Sequence, residues 1–172
     1  MLLDLIVSVF AMLVSPDAAR ELVVTAPQYL NEGTARQHLA AAVTAGFVTG
    51  EDASVLLAIA RGESNYRADV LMVERSGALS CGVVQATAIN LADCKRLRAS
   101  LLAGYLAGAR QLRNWRTHAN CRGNLACGLA GYAGGWRMIE LCSKGAGHAA
   151  CWRAIGARLK LAAAIRGPRS TS

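Results

Sequence analysis

The chain has 172 residues, of which 53% are hydrophobic and 17% charged, and its net charge is +8. That composition excludes general disorder and suits one domain that folds alone around its own core. The charge is uneven: residues 1–60 hold two basic and six acidic side chains, and the remaining 112 hold seventeen basic and five acidic. A positive field over the second half either serves as a solubilising surface or favours anionic partners such as nucleic acid, anionic lipid or the acidic polymers of a bacterial wall. Nucleic acid has the least support, because there is no zinc-finger spacing, no aromatic RNA-binding motif and no basic region leading into heptads.

The opening segment MLLDLIVSVFAMLVSP carries an apolar run, Leu5 to Val14, too short to span a bilayer comfortably. It has the length of an export-signal core, yet Asp4 stands where a positive region belongs and no small-x-small cleavage site follows. Residues 1–22 therefore read as an apolar leader, either cleaved or retained to dock on the domain or on a protein partner, with membrane contact left open. Residues 23–166 read as the domain and 167–172 as a flexible tail.

Thr34 and Gln37 have the form of a capping box ahead of Leu39, Val43 and Phe47, which predicts a helix over 35–46 that ends near Gly46. Thr49 and Asp52 open a second helix in the same manner. Its buried face is Val55, Leu56 and Ile59, and Gly62 weakens it just before Glu63. From Asn65 to about Ala86 the periodicity vanishes, which predicts a loop or short β-ribbon, the kind of segment that carries chemistry on a rigid scaffold. Helices return at about 87–97, 100–118, 124–132, 136–143 and 148–165. The expected class is mainly α with a small irregular or β region near 65–86.

Six cysteines, at 81, 94, 121, 127, 142 and 151, all lie in the second half. An even cluster points to an oxidising compartment and disulfides, with free core thiols as the alternative. The expected pairing joins neighbours: 81 with 94, 121 with 127, and 142 with 151. For 121 and 127 the chain must turn at Arg122-Gly123-Asn124, since an unbroken helix holds those sulfurs too far apart. There is no Cys-x-x-Cys pair, and His38, His118 and His148 are not spaced as a ligand set, so no metal or cofactor is expected.

Three stretches carry the chemistry: ARGESNY at 60–66, SGALSCGVVQ at 76–85 and LAGYAGGW at 129–136. In this order they resemble the three signatures of the soluble lytic transglycosylases, the bacterial branch of the goose-type lysozyme superfamily, over roughly residues 50–140. Glu63 falls on the family's catalytic acid and Ser64 on its companion serine. Ser76, Gly77, Ala78, Gly82 and Gln85 match the second signature, with Val83 and Val84 in place of Leu-Met and an unusual Cys81. Tyr132 and Gly135 match the third, but Ala133 stands where the family has asparagine, which removes an amide from the site.

The resemblance implies a lysozyme-like α+β domain dominated by helices. It further implies a single catalytic Glu63, first acid and then base, that cleaves peptidoglycan glycan strands between N-acetylmuramic acid and N-acetylglucosamine to give a 1,6-anhydro product. Ser64 would bond Glu63 or the substrate, Gln85 an N-acetyl group, and Tyr132 would orient Glu63 or the attacking group. Tyr66 would line the groove. Trp136, after a Gly-Gly turn, is the candidate sugar platform, whereas Trp115 falls on an apolar stripe and is assigned to the core.

Physical chemistry supports Glu63 independently. A helix C-terminus and apolar neighbours both favour the protonated carboxyl, as a glycosidase acid requires. Arg61 and Arg67 flank it and are expected to point outward; a structural Glu63 capped by an arginine is the competing account. Two carboxylates are usual in glycoside hydrolysis, and Asp69, Glu74 and Asp93 are the candidates for a second. Glu74 is the one suspected of positioning a water, which would make the outcome lysozyme-type hydrolysis. The leading expectation is a lytic transglycosylase of the periplasm or of a phage virion. The alternative is a catalytically inactive lysozyme-fold module that binds peptidoglycan within a larger assembly. A cationic membrane-active protein would gather its basic residues on one amphipathic helix, and here they are scattered.

Overall fold

A computed structural model of the chain describes residues 15–143 and 148–166, and side-chain caps set where its first helices begin. Ser15 accepts from the amides of Asp17 and Ala18 ahead of α1 (Pro16–Thr25). Helix α2 (Glu32–Thr49) starts earlier than the predicted 35 because the capping box is Asn31 with Thr34: each side chain accepts from the other's amide, over 2.9 and 3.0 Å. It runs past Gly46 to a left-handed Gly50. Asp52 alone caps α3 (Ala53–Ser64), while the Thr49 hydroxyl donates back to Ala45 within α2. Asn65, in the left-handed region, stops α3 immediately after Glu63 and Ser64.

The irregular stretch resolves into a ribbon. Strands β1 (Leu71–Val73), β2 (Leu79–Cys81) and β3 (Ala86–Ala88) form an antiparallel meander with Leu71 opposite Cys81 and Leu79 opposite Ala88. Helices α4 (Leu91–Ala99) and α5 (Leu101–Thr117) follow, then α6 (Leu125–Ser143) and α7 (His148–Arg166). The two helices predicted over 124–132 and 136–143 abut at a break in α6, where Gly134 and Gly135 leave helical geometry. The protein is mainly α with a short β region, as expected.

Helix α3 is the buried centre: Val55 through Ala60 are all buried, so its apolar surface extends around the helix beyond the predicted three-residue face. Helix α5 packs between α2 and α6 and buries Leu102, Tyr105, Ala109 and Leu112. Helix α1 delivers Ala19 and Leu22 to the same core, so the boundary expected between 22 and 23 falls inside a core helix. Helix α7 lies along α3 and grips both its ends, Arg166 bonding Asp52 at the N-cap and Arg158 bonding Glu63 in the last turn.

Two disulfides occur among the described residues. Cys81–Cys94 ties β2 to α4, and Cys121–Cys127 closes the connection before α6 with Cα atoms 5.3 Å apart. The second depends on the predicted turn, in which Arg122 and Gly123 both take positive φ. The expected pairing of 142 with 151 and the expectations for residues 1–14 and 167–172 lie outside what the structure describes. The disulfides fit an oxidising, extracytoplasmic compartment. No described helix is long and apolar enough to cross a membrane.

Candidate active site

The three sequence stretches meet at the turn between β2 and β3. Ser64, from the first, donates its hydroxyl to the carbonyls of Val83 at 2.6 Å and Ala60 at 3.2 Å. Tyr132, from the third, donates to the carbonyl of Val84 at 2.7 Å. The middle stretch is thus held from two sides by buried hydroxyls, each satisfying a buried carbonyl. Gln85 ends the turn with a left-handed φ of 51°, an uncommon conformation for a residue with a side chain. Its Nε2 donates to the carbonyls of Gly82 (2.9 Å) and Val70 (3.3 Å), which leaves a buried Oε1 with no partner.

Beside this turn lies a cleft of about 300 Å³, lined among others by Glu63, Met72, Glu74, Ser80, Gln85, Gln111, Trp115 and Tyr132. Helix α3 supplies the carboxyl, the ribbon supplies Glu74 and Gln85, α5 supplies Gln111 and Trp115, and α6 supplies Tyr132. The break at Gly134 and Gly135 forms the remaining edge; Gly135, at φ 60° and ψ −151°, occupies a region open only to glycine.

Glu63 Oε1 receives Arg158 Nη2 at 2.5 Å, and Oε2 has no partner among the described residues. Burial raises the protonation midpoint of Glu63, Arg158 opposes that rise, and the charge of Glu74 adds to it; the net direction is upward. Arg61 and Arg67 do not take part, since their Nε atoms donate to the carbonyls of Thr25 and Ser64. Burial, with a smaller contribution from Glu63, pushes the Tyr132 phenol far above its ordinary range, so it stays protonated and goes on donating to the Val84 carbonyl.

The structure places the predicted residues unequally. Glu63, Gln85 and Tyr132 share the cleft. Ser64 does not face it, because its hydroxyl serves the backbone as described. Tyr66 is buried outside it, edge-on to His38 with its hydroxyl 3.3 Å from Thr25 Oγ1. Trp136 is half exposed and does not line the cleft; it stands edge-on to Trp115 (5.4 Å) and His118 (4.3 Å). Trp115, expected in the core, is the indole that lines the cleft.

Glu74 is the one further carboxylate in the cleft, its Oε1 accepting from Ser80 Oγ at 2.8 Å. Asp93 instead pairs with Arg96 and accepts from the Ile89 amide; Asp69 is exposed. Gln111, which accepts from the Thr87 amide at 3.0 Å, joins the cleft without any signal in the sequence. No group of three or more His, Cys, Asp or Glu among the described residues could hold a metal ion. No protein family, curated protein or solved structure matches the chain.

Proposed function

We propose that the protein cleaves the glycan strands of peptidoglycan as a lytic transglycosylase, with Glu63 as its general acid and base, in the periplasm or carried in a phage virion. The observation that carries this reading is a largely buried carboxyl with a raised protonation midpoint, one oxygen without a partner among the described residues, at the edge of a cleft to which all three stretches contribute. In its protonated form Glu63 gives its proton to the glycosidic oxygen as that bond breaks. As a carboxylate it then takes the proton of the muramic 6-hydroxyl, which attacks the anomeric carbon of its own ring. The unpartnered Oε1 of Gln85 suits an N–H donor such as an acetamido group, and the Trp115 ring offers a sugar-facing platform. The test is to incubate the protein and Glu63→Gln with peptidoglycan and weigh the fragments. Anhydro-muropeptides from the unaltered protein alone support the reading, and equal release by both proteins overturns it.

Glu74 favours a second outcome at the same site. A second carboxylate in the cleft, held by Ser80, suits the orientation of a water. Fragments heavier by one water, lost on Glu74→Gln, would mark hydrolysis. The non-catalytic alternative, favoured by Ala133 on the cleft wall, predicts wall binding without release by either form.

A further inference from the structure

Glu63 is reached by a charge that comes from the far end of the chain. Arg158 lies in the last helix, 95 residues from Glu63, and only 16% of its side chain is exposed. It does not line the cleft. Its guanidinium lies over Gly62: a Cβ there would stand 3.1 Å from Arg158 Nε and 3.5 Å from Nη2. Arg158 Nε is buried with no partner, so among the described residues the guanidinium is held by packing against α3 and by its bond to Oε1 of Glu63.

We infer that Arg158 is the positioning residue of the site: seated over Gly62, it pins one oxygen of Glu63 and leaves the other, at the edge of the cleft, without a partner among the described residues. The inference rests on the reading of Glu63 as the acid. It also accounts for a glycine in the middle of the Arg-Gly-Glu-Ser stretch, one residue before the acid, where glycine weakens the helix. A Cβ at 62 would press on Arg158 Nε at 3.1 Å and oblige the guanidinium to give by a few tenths of an ångström, so the bare glycine is what lets the guanidinium sit where it does.

The charged and titratable groups around Glu63 are few. Arg158 comes from α7, Glu74 from the turn after β1 and Tyr132 from α6, while Arg61 on its own helix turns to Thr25. Arg158 is the one that favours the carboxylate, and burial and Glu74 both favour the acid. Without it the carboxyl would protonate more readily, be free to rotate, and return to the base form less easily for the second half of the reaction.

The test uses the full-length protein as Arg158→Met, Arg158→Lys and Gly62→Ala, each first shown by thermal unfolding to be folded. The carboxyl of Glu63 is titrated directly by ¹³C NMR, and fragment release is followed against pH. Arg158→Met should raise the Glu63 midpoint by about one pH unit or more, and Gly62→Ala, by crowding the guanidinium, should move it in the same direction by less. They should lower kcat on the order of 10-fold to 100-fold with KM little changed, because the arginine lies outside the cleft. Arg158→Lys should recover part of both. A Glu63 midpoint unmoved in both Arg158→Met and Gly62→Ala overturns the inference. If Glu63→Gln releases fragments as the unaltered protein does, the catalytic reading fails and the role of Arg158 fails with it. If Glu63→Gln is inactive but Arg158→Met keeps the original rate and pH profile, the positioning role alone is lost.

Discussion

The hydroxyl of Tyr132 donates to the carbonyl of Val84 across 2.7 Å, and this bond fastens the kinked helix α6 to the turn that carries Gln85. Tyr132→Phe keeps the ring and leaves a buried carbonyl unsatisfied. The expected cost is about 1–3 kcal/mol of stability, read by thermal melts; under the proposed function it comes with a fall in fragment release larger than any fall in wall binding. Unchanged melting and activity would mean that the turn is held without Tyr132.

Gln85→Glu makes a sharper test of the same turn. The new carboxyl faces the carbonyls of Gly82 and Val70 and can donate to one of them, and only when protonated. Its folded-state midpoint is therefore raised. The variant should come closest to the original near pH 4, below the unfolded midpoint, and lose stability as pH climbs through the folded value. Melting curves at pH 4 and pH 7 decide it; a constant difference between the two proteins would contradict the assigned amide orientation.

Two titrating groups give stability slopes of opposite sign. Burial pushes His38 down to about 4 from 6.5, so its neutral form contributes stability that is present above pH 6.5 and lost as pH falls toward 4. The loss is on the order of 3 kcal/mol, and His38→Gln should flatten it in melts over that range. Glu63 behaves in reverse: with its midpoint raised above 4.5, the folded state holds the extra proton, and that contribution fades as pH rises through the folded value. Glu63→Gln should accordingly gain on the unaltered protein as pH climbs from 4 to 7.

The disulfides should differ in weight. Cys81 and Cys94 are 13 residues apart and Cys121 and Cys127 are 6 apart. Loop closure alone gives about 3 kcal/mol for the first and about 2 kcal/mol for the second. Replacing Cys81 and Cys94 by serine should lower the denaturant midpoint more than the same change at Cys121 and Cys127.

Local signals in the sequence were readable and distant ones were not. The ends of α3 and α5, the ribbon near 65–86 and the turn at Arg122-Gly123 all follow from periodicity and turn chemistry. The start of α2 was misplaced because Asn31 and Thr34 form as good a box as Thr34 and Gln37, and only the structure shows which amides are capped. Tyr66 was placed in the groove by its nearness to Glu63. Asn65 and Tyr66 both take left-handed φ, and the ring lies in the core beside His38. Trp115 ends its apolar stripe where the core gives way to the cleft, and Gly131, whose missing Cβ leaves room for the indole, lets α6 approach it. Arg158 had no local signature at all, since its partner lies on another helix.

The grip of α7 on both ends of α3 has a consequence for how the molecule is made. The two ion pairs join residues 95 and 114 positions apart, and contacts of such separation form late in folding. During synthesis from the N-terminus, the three stretches that meet at the cleft leave the ribosome while the helix that pairs with Glu63 is still unmade. A nascent chain stopped before residue 158 would hold Glu63 among apolar neighbours without the Arg158 charge, so this carboxyl acquires its environment only once α7 is made.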